Sequence, residues 1–432
     1  MTGRLSSAGL DIHLLNSCQV LTKCVIFLAD KRAIFVYIAV MQIIKTTEEL
    51  SEACEKITQH PYCTVDTEFL RESTFWPELC LVQLACPGDE WIVDVLAKDM
   101  DFRPLLALMK NENVVKVFHA ARQDIEIMYH LSGEVPHPVF DTQVAAMVCG
   151  YGDSISYDQL VYRITGRQLD KSSRFTDWSK RPLSQKQLEY ALADVTHLRE
   201  VYISIKANLE EQNRAHWVAE EMEILTSPET YDMPPENAWQ RLKMRVRKPR
   251  ELALMKKLAH WREETARAAN VPRGRIIRDD AIYDVCSRAP TRMEQLSDMR
   301  SLNRGFDKSR YGPEILRIVS EVKAQDPNSF PKIPKPKQTP EGCAACTEML
   351  KVLLKITVEK YGVAAKIIAT VDELEKIAAD NNADVPALHG WRRELFGNTA
   401  LDLKNGKIAL GYNNRSVQIV KLDSDQSKVA AE

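Results

Sequence analysis

Between Met41 and Leu209 the chain alternates short β-rich runs with stretches of helical periodicity, which confines this half of the sequence to an α/β fold. Met41–Lys45 reads as a first strand, and Thr46 with Glu49 makes the capping box of a helix over Glu48–Gln59. The runs Cys63–Leu70, Leu79–Ala85 and Trp91–Val95 follow one another closely across Pro77 and Pro87–Gly88, so an antiparallel meander is expected. Val114–Phe118 adds a strand, followed by a helix over Ile125–Leu131, a helix over Thr142–Cys149 opened by Asp141, and a long helix over Leu188–Leu209. The expected architecture is a mixed sheet with flanking helices.

A chain of 432 residues exceeds one ordinary core and has room for about three domains at roughly 150 residues each. Ser227–Pro235 reads as a linker, and residues 239–320 as short helices over Arg250–Ala269, Asp279–Arg288, Arg292–Asp298 and Pro313–Val319. A Pro- and Lys-rich linker is expected over Asp326–Pro340, then helices over 341–397 and a terminal hairpin over Lys407–Val420 turning at Asn413–Asn414. The domains expected are therefore 41–225, 239–320 and 341–420, the last two all-α. The apolar runs Val25–Ala29 and Ala33–Met41 are interrupted by Asp30, Lys31 and Arg32, too short to span a membrane. Residues 1–40 read as an extension outside any domain, set by the choice of start codon, with a short targeting or interaction tail as the alternative.

The net charge of −2 conceals a division. Residues 41–220 carry 18 Lys and Arg against 28 Asp and Glu, a net of −10, whereas residues 239–319 carry 20 against 10, a net of +10. Two solvated surfaces of opposite sign would explain this, as would an acidic metal site beside a nucleic-acid-binding module. With 45% hydrophobic and 27% charged residues, disordered and collagen-like chains are excluded. Ten cysteines without dense spacing point to reduced thiols and a cytoplasmic protein. Cys343 and Cys346 have ligand-like spacing but lack a second pair, so helix packing is their expected role. No Gly-rich nucleotide loop ending in Lys-Ser/Thr occurs, so no nucleotide triphosphate is expected as a partner.

Asp66 and Glu68 lie two apart in an expected strand, and the pleat puts both carboxylates on one face. Like charges this close raise each other's pKa unless a cation compensates, which makes a divalent metal a natural third party; a strand with one solvated face is the plainer reading. Tyr190 and Asp194, four apart, share a helix face beside Ala191, Val195 and Leu198. Asp124 enters a helix among Ile125, Met128 and Leu131, where an exposed or capping role is the alternative. Four carboxylates and a tyrosine on separate elements favour a functional centre.

These residues resemble the ribonuclease D branch of the DEDD 3'-to-5' exonucleases, the subtype with a tyrosine in its last motif. Asp66–Glu72 is similar to the first motif and Val117–Asp124 to the second. Tyr190 with Asp194 is similar to the third, preceded by Leu169–Ser172 and Thr176–Ser184. The resemblance runs from about Met41 to Leu209 and implies a ribonuclease H-like mixed sheet. Ala238–Lys243, Leu258, Trp261, Asn270–Asp280 and Gly312–Leu316 resemble an HRDC module, and Leu388–Gly397 resembles the end of a second, divergent one.

The resemblance implies phosphodiester hydrolysis with two divalent cations, Mg²⁺ or Mn²⁺, held by oxygen donors. Asp66 would bridge both, Glu68 and Asp194 would complete the nucleophile side, Asp124 would support the leaving-group side, and Tyr190 would position the attacking water. It also implies trimming of the 3' ends of precursor transfer RNAs with release of 5'-mononucleotides, the basic module tethering the RNA; a monomer is expected. Phe69, Phe75, Trp76 and Trp178 are candidates for base stacking or for the core, and His119 for a phosphate contact or a structural role. A 3'-to-5' DNA exonuclease and a non-catalytic nucleic-acid-binding scaffold are the alternatives.

Overall fold

The computed structural model describes residues 4–7, 10–15, 22–27, 33–38, 42–243, 246–333 and 340–422. Ahead of the α/β unit, β1 (Arg4–Ser7), β2 (Leu10–Leu15), β3 (Thr22–Phe27) and β4 (Ala33–Ile38) pair antiparallel in chain order. They form a sheet separate from the one that follows. Parts of the expected extension over 1–40 and of the expected linker over 326–340 lie outside the described residues.

The main sheet has six strands: β5 (Gln42–Ile44), β6 (Tyr62–Leu70), β7 (Glu78–Cys86), β8 (Asp89–Asp94), β9 (Val115–Phe118) and β10 (Val139–Asp141). Their spatial order is β10-β9-β6-β7-β8-β5. The meander β6-β7-β8 is antiparallel, while β9 pairs parallel to β6, β10 to β9 and β5 to β8. This is the mixed sheet expected from the sequence. β6 sits at the centre, and its register against β7 shifts between Glu68 and Phe69, a bulge where the strand leaves its carboxylates.

Helices α1 (Thr47–Ile57), α2 (Arg103–Lys110), α3 (Arg122–Ser132), α4 (Thr142–Val148), α5 (Tyr157–Thr165), α6 (Gln185–Glu211) and α7 (Ala215–Leu225) surround the sheet. Thr46 and Glu49 form the expected capping box of α1. A second box, Ser184 with Gln187, starts the 27-residue α6. α6 crosses β6, β7 and β8. Its buried Leu188, Ala191, Val195, Leu198, Val201 and Tyr202 recur at helical spacing, each large apolar side chain contributing about 1.5–3 kcal/mol.

The basic segment folds as α8 (Pro249–Ala269), α9 (Arg273–Ile276), α10 (Asp279–Arg288), α11 (Met293–Ser297) and α12 (Tyr311–Ala324) around its own core. Among the described residues Phe75 of the α/β unit is buried in that core, and Trp76 packs against it. The last segment, α13 (Cys343–Tyr361), α14 (Ala365–Ile368), α15 (Val371–Ala379) and the helical stretch 390–404, instead shares the core of the main sheet. Trp391 stacks on Trp217 of α7 with ring centroids 4.5 Å apart, and Arg392 pairs with Glu221. Arg214 donates to the carbonyls of Val148 at 3.1 Å and Tyr361 at 2.7 Å. Gly150 is required where the ends of α4 and α13 meet, because a Cβ there would lie 2.4 Å from the Gly362 oxygen. A hairpin of β11 (Ile408–Asn413) and β12 (Ser416–Lys421) follows. Its turn falls at Asn414 and Arg415, both left-handed, one residue later than the sequence suggests.

Candidate active site

The pleat of β6 puts Thr64, Asp66 and Glu68 on one face, and α6 packs over it. The Thr64 hydroxyl donates to the Val195 carbonyl at 2.9 Å, and the Tyr157 hydroxyl from α5 donates to the Ala193 carbonyl at 2.9 Å. The peptide carbonyls flanking Asp194 are therefore each fastened to a different element. Tyr190, one turn earlier on α6, shares the helix face of Asp194 and lies over the buried Trp178, ring centroids 6.1 Å apart.

Asp124 lies in the first turn of α3 and is buried. Its carboxylate accepts a hydrogen bond from the Thr67 hydroxyl. The start of α3 is held by Asp141, which accepts from the N–H groups of Ala120 at 3.0 Å and Ala121 at 2.9 Å. Asp141 also accepts from Gln143 at 2.8 Å, so it is the expected N-cap of α4 and anchors a second helix as well.

Asp66, Glu68 and Asp194 converge, each offering an oxygen within 4.8 Å of the others. Asp124 stands apart from that trio, beside Thr67, yet its charge reaches Asp66 and Glu68. Burial, reinforced by Asp194, Asp124 and Glu68, pushes the Asp66 carboxyl well above the usual range. Burial and the same neighbouring aspartates raise Glu68 to about 9. Asp124 and Asp194 are each raised to about 7, chiefly by burial, with hydrogen bonds from Thr67 and Tyr190 respectively working in the opposite direction. Among the described residues no Lys or Arg forms an ion pair with any of the four. A divalent cation fits this donor set of converging, hard oxygens without an ion-pair partner.

The cleft around the trio has a volume of about 430 Å³. His119 lines it, but its ring nitrogens lie 3.0 Å from Thr142 Oγ1 and 3.2 Å from the Ile155 carbonyl oxygen, so neighbouring groups satisfy it. Of the aromatic candidates, Phe75 and Trp178 are buried in cores, and Trp76 stacks on His130 at 4.3 Å. Phe75 also packs under Arg273 and Arg267, both paired with the buried Glu263, while Asn270 Oδ1 accepts from the N–H groups of Phe75 and Trp76. Two arginines of the basic module are thus engaged within the protein. Sequence reasoning missed Thr67, Tyr157 and the second role of Asp141, which become visible only once the elements are packed. It also passed over Arg174 on the cleft wall and Phe175, which is 91% exposed beside it.

Residues 41–210 match the model of a 3'-5' exonuclease family, and residues 251–319 that of the HRDC domain. A ribonuclease D of Nitrobacter hamburgensis is 56% identical over 377 residues, covering 87% of this chain and 98% of the relative. One of Bartonella henselae is 47% identical over 89% of this chain and 95% of its own length. The crystal structure of Escherichia coli RNase D, described as an exoribonuclease involved in structured RNA processing, superposes with a TM-score of 0.76 at 26% identity. That match covers 85% of this chain and 99% of the other. A Bifidobacterium adolescentis protein shares the fold with a TM-score of 0.65 at 21% identity, over 85% of this chain and 98% of its own. Exonucleases of this class use divalent metal ions, and among the described residues no helix is long and apolar enough to cross a membrane. With relatives this similar over nearly their full length, the chain belongs to the ribonuclease D family and is a 3'-5' exoribonuclease.

Proposed function

We propose that this exoribonuclease trims the 3' ends of precursor transfer RNAs, with Asp66, Glu68, Asp124 and Asp194 holding two divalent cations, Mg²⁺ or Mn²⁺. The observation that carries this reading is the convergence of Asp66, Glu68 and Asp194 in one cleft whose wall includes Tyr190. Asp66, Glu68 and Asp194 would hold the cation on the nucleophile side, and Asp66 with Asp124 would serve the one on the leaving-group side. When bound, such cations stabilise the negative charge that gathers on the transferring phosphoryl group and the departing oxygen.

Tyr190 orients the attacking water. Burial and the nearby carboxylates push its phenol above its ordinary value, so it stays protonated and acts as a hydrogen-bonding group rather than a base. The Asp141 and Thr67 contacts keep Asp124 in place, and the Thr64 bond keeps α6 at a fixed distance from β6. The product of each cycle is a 5'-mononucleotide.

In this reading residues 41–225 are the exonuclease domain and residues 239–320 an HRDC domain that tethers RNA through phosphate contacts. Residues 341–420 are a divergent second HRDC-like module, and residues 1–40 stand outside these domains. The protein works as a cytoplasmic monomer, in keeping with the unpaired thiols among the described cysteines.

The test is a gel time course of a 5'-labelled precursor transfer RNA with a short 3' extension, in Mg²⁺ or EDTA, for wild type and Asp124→Asn. Stepwise shortening that needs both the metal and Asp124 is expected. Folded wild type that binds the RNA without shortening it would refute the assignment.

A further inference from the structure

The loop between α5 and α6 holds a phenylalanine in water. Phe175 is 91% exposed, the most exposed large apolar side chain among the described residues. A solvated phenyl ring forgoes the stabilisation of burial and leaves its face open to another flat group.

The backbone on either side of it is fixed. Ser173 is buried, and its carbonyl accepts from the Thr176 hydroxyl at 2.9 Å. Thr176 Oγ1 in turn accepts from Gln187 Nε2 of α6 at 3.3 Å. Trp178 is only 2% exposed. Arg181 anchors the far side of the loop through Asp94 at 2.7 Å and the carbonyls of Cys80 at 3.0 Å and Trp178 at 2.7 Å. On the near side Lys171 pairs with Asp158 at 2.6 Å. The Phe175 ring is thus presented by a braced loop.

Its neighbour supplies the complementary chemistry. Two long cationic side chains, Lys171 and Arg174, line the acidic cleft. Lys171 is occupied by Asp158, whereas Arg174 has no ion-pair partner among the described residues. Its charge reaches Glu68 and Asp194, and its guanidinium lies 5.3 Å from the centroid of the Phe175 ring. One cationic group facing the cleft and one bare aromatic face at its rim are what a single nucleotide unit presents surfaces for, its phosphate to the first and its base to the second.

We propose that Arg174 and Phe175 form a nucleotide clamp at the mouth of the cleft, the guanidinium holding a backbone phosphate of the single-stranded RNA tail and the ring stacking on a base. Every base has a π face, so the clamp grips without reading sequence, as an enzyme removing nucleotides one after another requires. Both are positioning residues. The inference rests on the nuclease reading of the cleft.

The experiment uses the full chain and a short 5'-labelled oligouridylate, either intact or with one abasic nucleotide placed in turn at each of the last few positions. Phe175→Ala should raise KM about tenfold, within the range of one base–aromatic stack, with kcat within about twofold of wild type. Phe175→Trp should restore it. At one position the abasic substitution should penalise wild type and leave Phe175→Ala no worse. Arg174→Met should raise KM and flatten the dependence of log KM on log salt by about 0.7, one phosphate contact on a single strand. Equal abasic penalties in wild type and Phe175→Ala at every position would overturn the base half of the clamp. A kcat loss in Arg174→Met that higher Mg²⁺ restores would overturn the phosphate half. Wild type inactive on the intact oligomer would instead break the nuclease reading, and fluorescence-anisotropy affinities of the same variants in EDTA would still decide the clamp.

Discussion

The Thr64 hydroxyl reaches across from β6 to the Val195 carbonyl on α6 at 2.9 Å, joining the strand that carries Asp66 to the helix that carries Asp194. The bond is buried and lies one residue from the converging carboxylate. Thr64→Val keeps the shape and removes the donor while the Val195 carbonyl keeps its partner within α6, so it should cost about 0.5–1.5 kcal/mol of stability, the net worth of one hydrogen bond. It should also lower kcat several-fold, because α6 is free to shift against β6. Urea unfolding and steady-state kinetics on one preparation check both; an unchanged kcat would confine Thr64 to stability.

Asn270 makes a second such join, between the basic module and the α/β unit. It ends α8 in a left-handed conformation, φ 46°, and accepts from the N–H groups of Phe75 at 3.2 Å and Trp76 at 3.1 Å. Asn270→Gly keeps that backbone accessible and deletes the acceptor. The variant should stay folded, lose about 1–3 kcal/mol across the junction, and expose the 71–77 loop to protease. A proteolysis pattern identical to wild type would show that the packing around Phe75 suffices.

Lys116 is fully buried, donating to the carbonyls of Asn111 at 2.8 Å and His137 at 2.5 Å. Burial holds its ammonium down to about 8, against about 10.4 in an unfolded chain. Between those values the unfolded state binds more protons, so this group's contribution to stability rises with pH from about 8 to about 10 and is constant below. Its full size is on the order of 3 kcal/mol. Nearby Cys63, pushed up to about 12 by burial against the opposing pull of Lys116, works the other way above its ordinary value, and does so at least as strongly once Lys116 is replaced. The difference in unfolding free energy between wild type and Lys116→Met should therefore move in favour of wild type between pH 7.5 and 10; parallel curves would contradict it.

Gly150→Ala should destabilise the seam between α4 and α13 by about 1–3 kcal/mol. The position has φ 82°, and an added Cβ would press on the Gly362 backbone oxygen. Thermal unfolding followed by circular dichroism reads the shift, and an unaltered midpoint would mean the seam yields without cost.

The acidic centre was legible because strand and helix periods alone put Asp66 beside Glu68 and Tyr190 one turn before Asp194. The meander and the two capping boxes were legible for the same local reason. What the sequence did not disclose depends on distant partners. β10 is three residues long and exists by pairing with β9. α2, α5 and α7 are short or weakly patterned, and α7 packs against a segment about 170 residues later through Trp217 and Trp391. Asp141 looked like an ordinary cap because its second set of donors, Ala120 and Ala121, arrives from another strand end. Phe175 escaped notice because exposure is a property of the folded surface.

Residues 343–408 complete the apolar core that residues 44–222 begin, while the segment between them encloses a core of its own. Order of synthesis and order of sealing therefore differ. The first unit to leave the ribosome keeps apolar surface open until nearly the whole chain has emerged, whereas the middle unit closes earlier. A polypeptide cut short after α12 would carry all five residues of the candidate centre and yet lack the helices that finish the core beneath them.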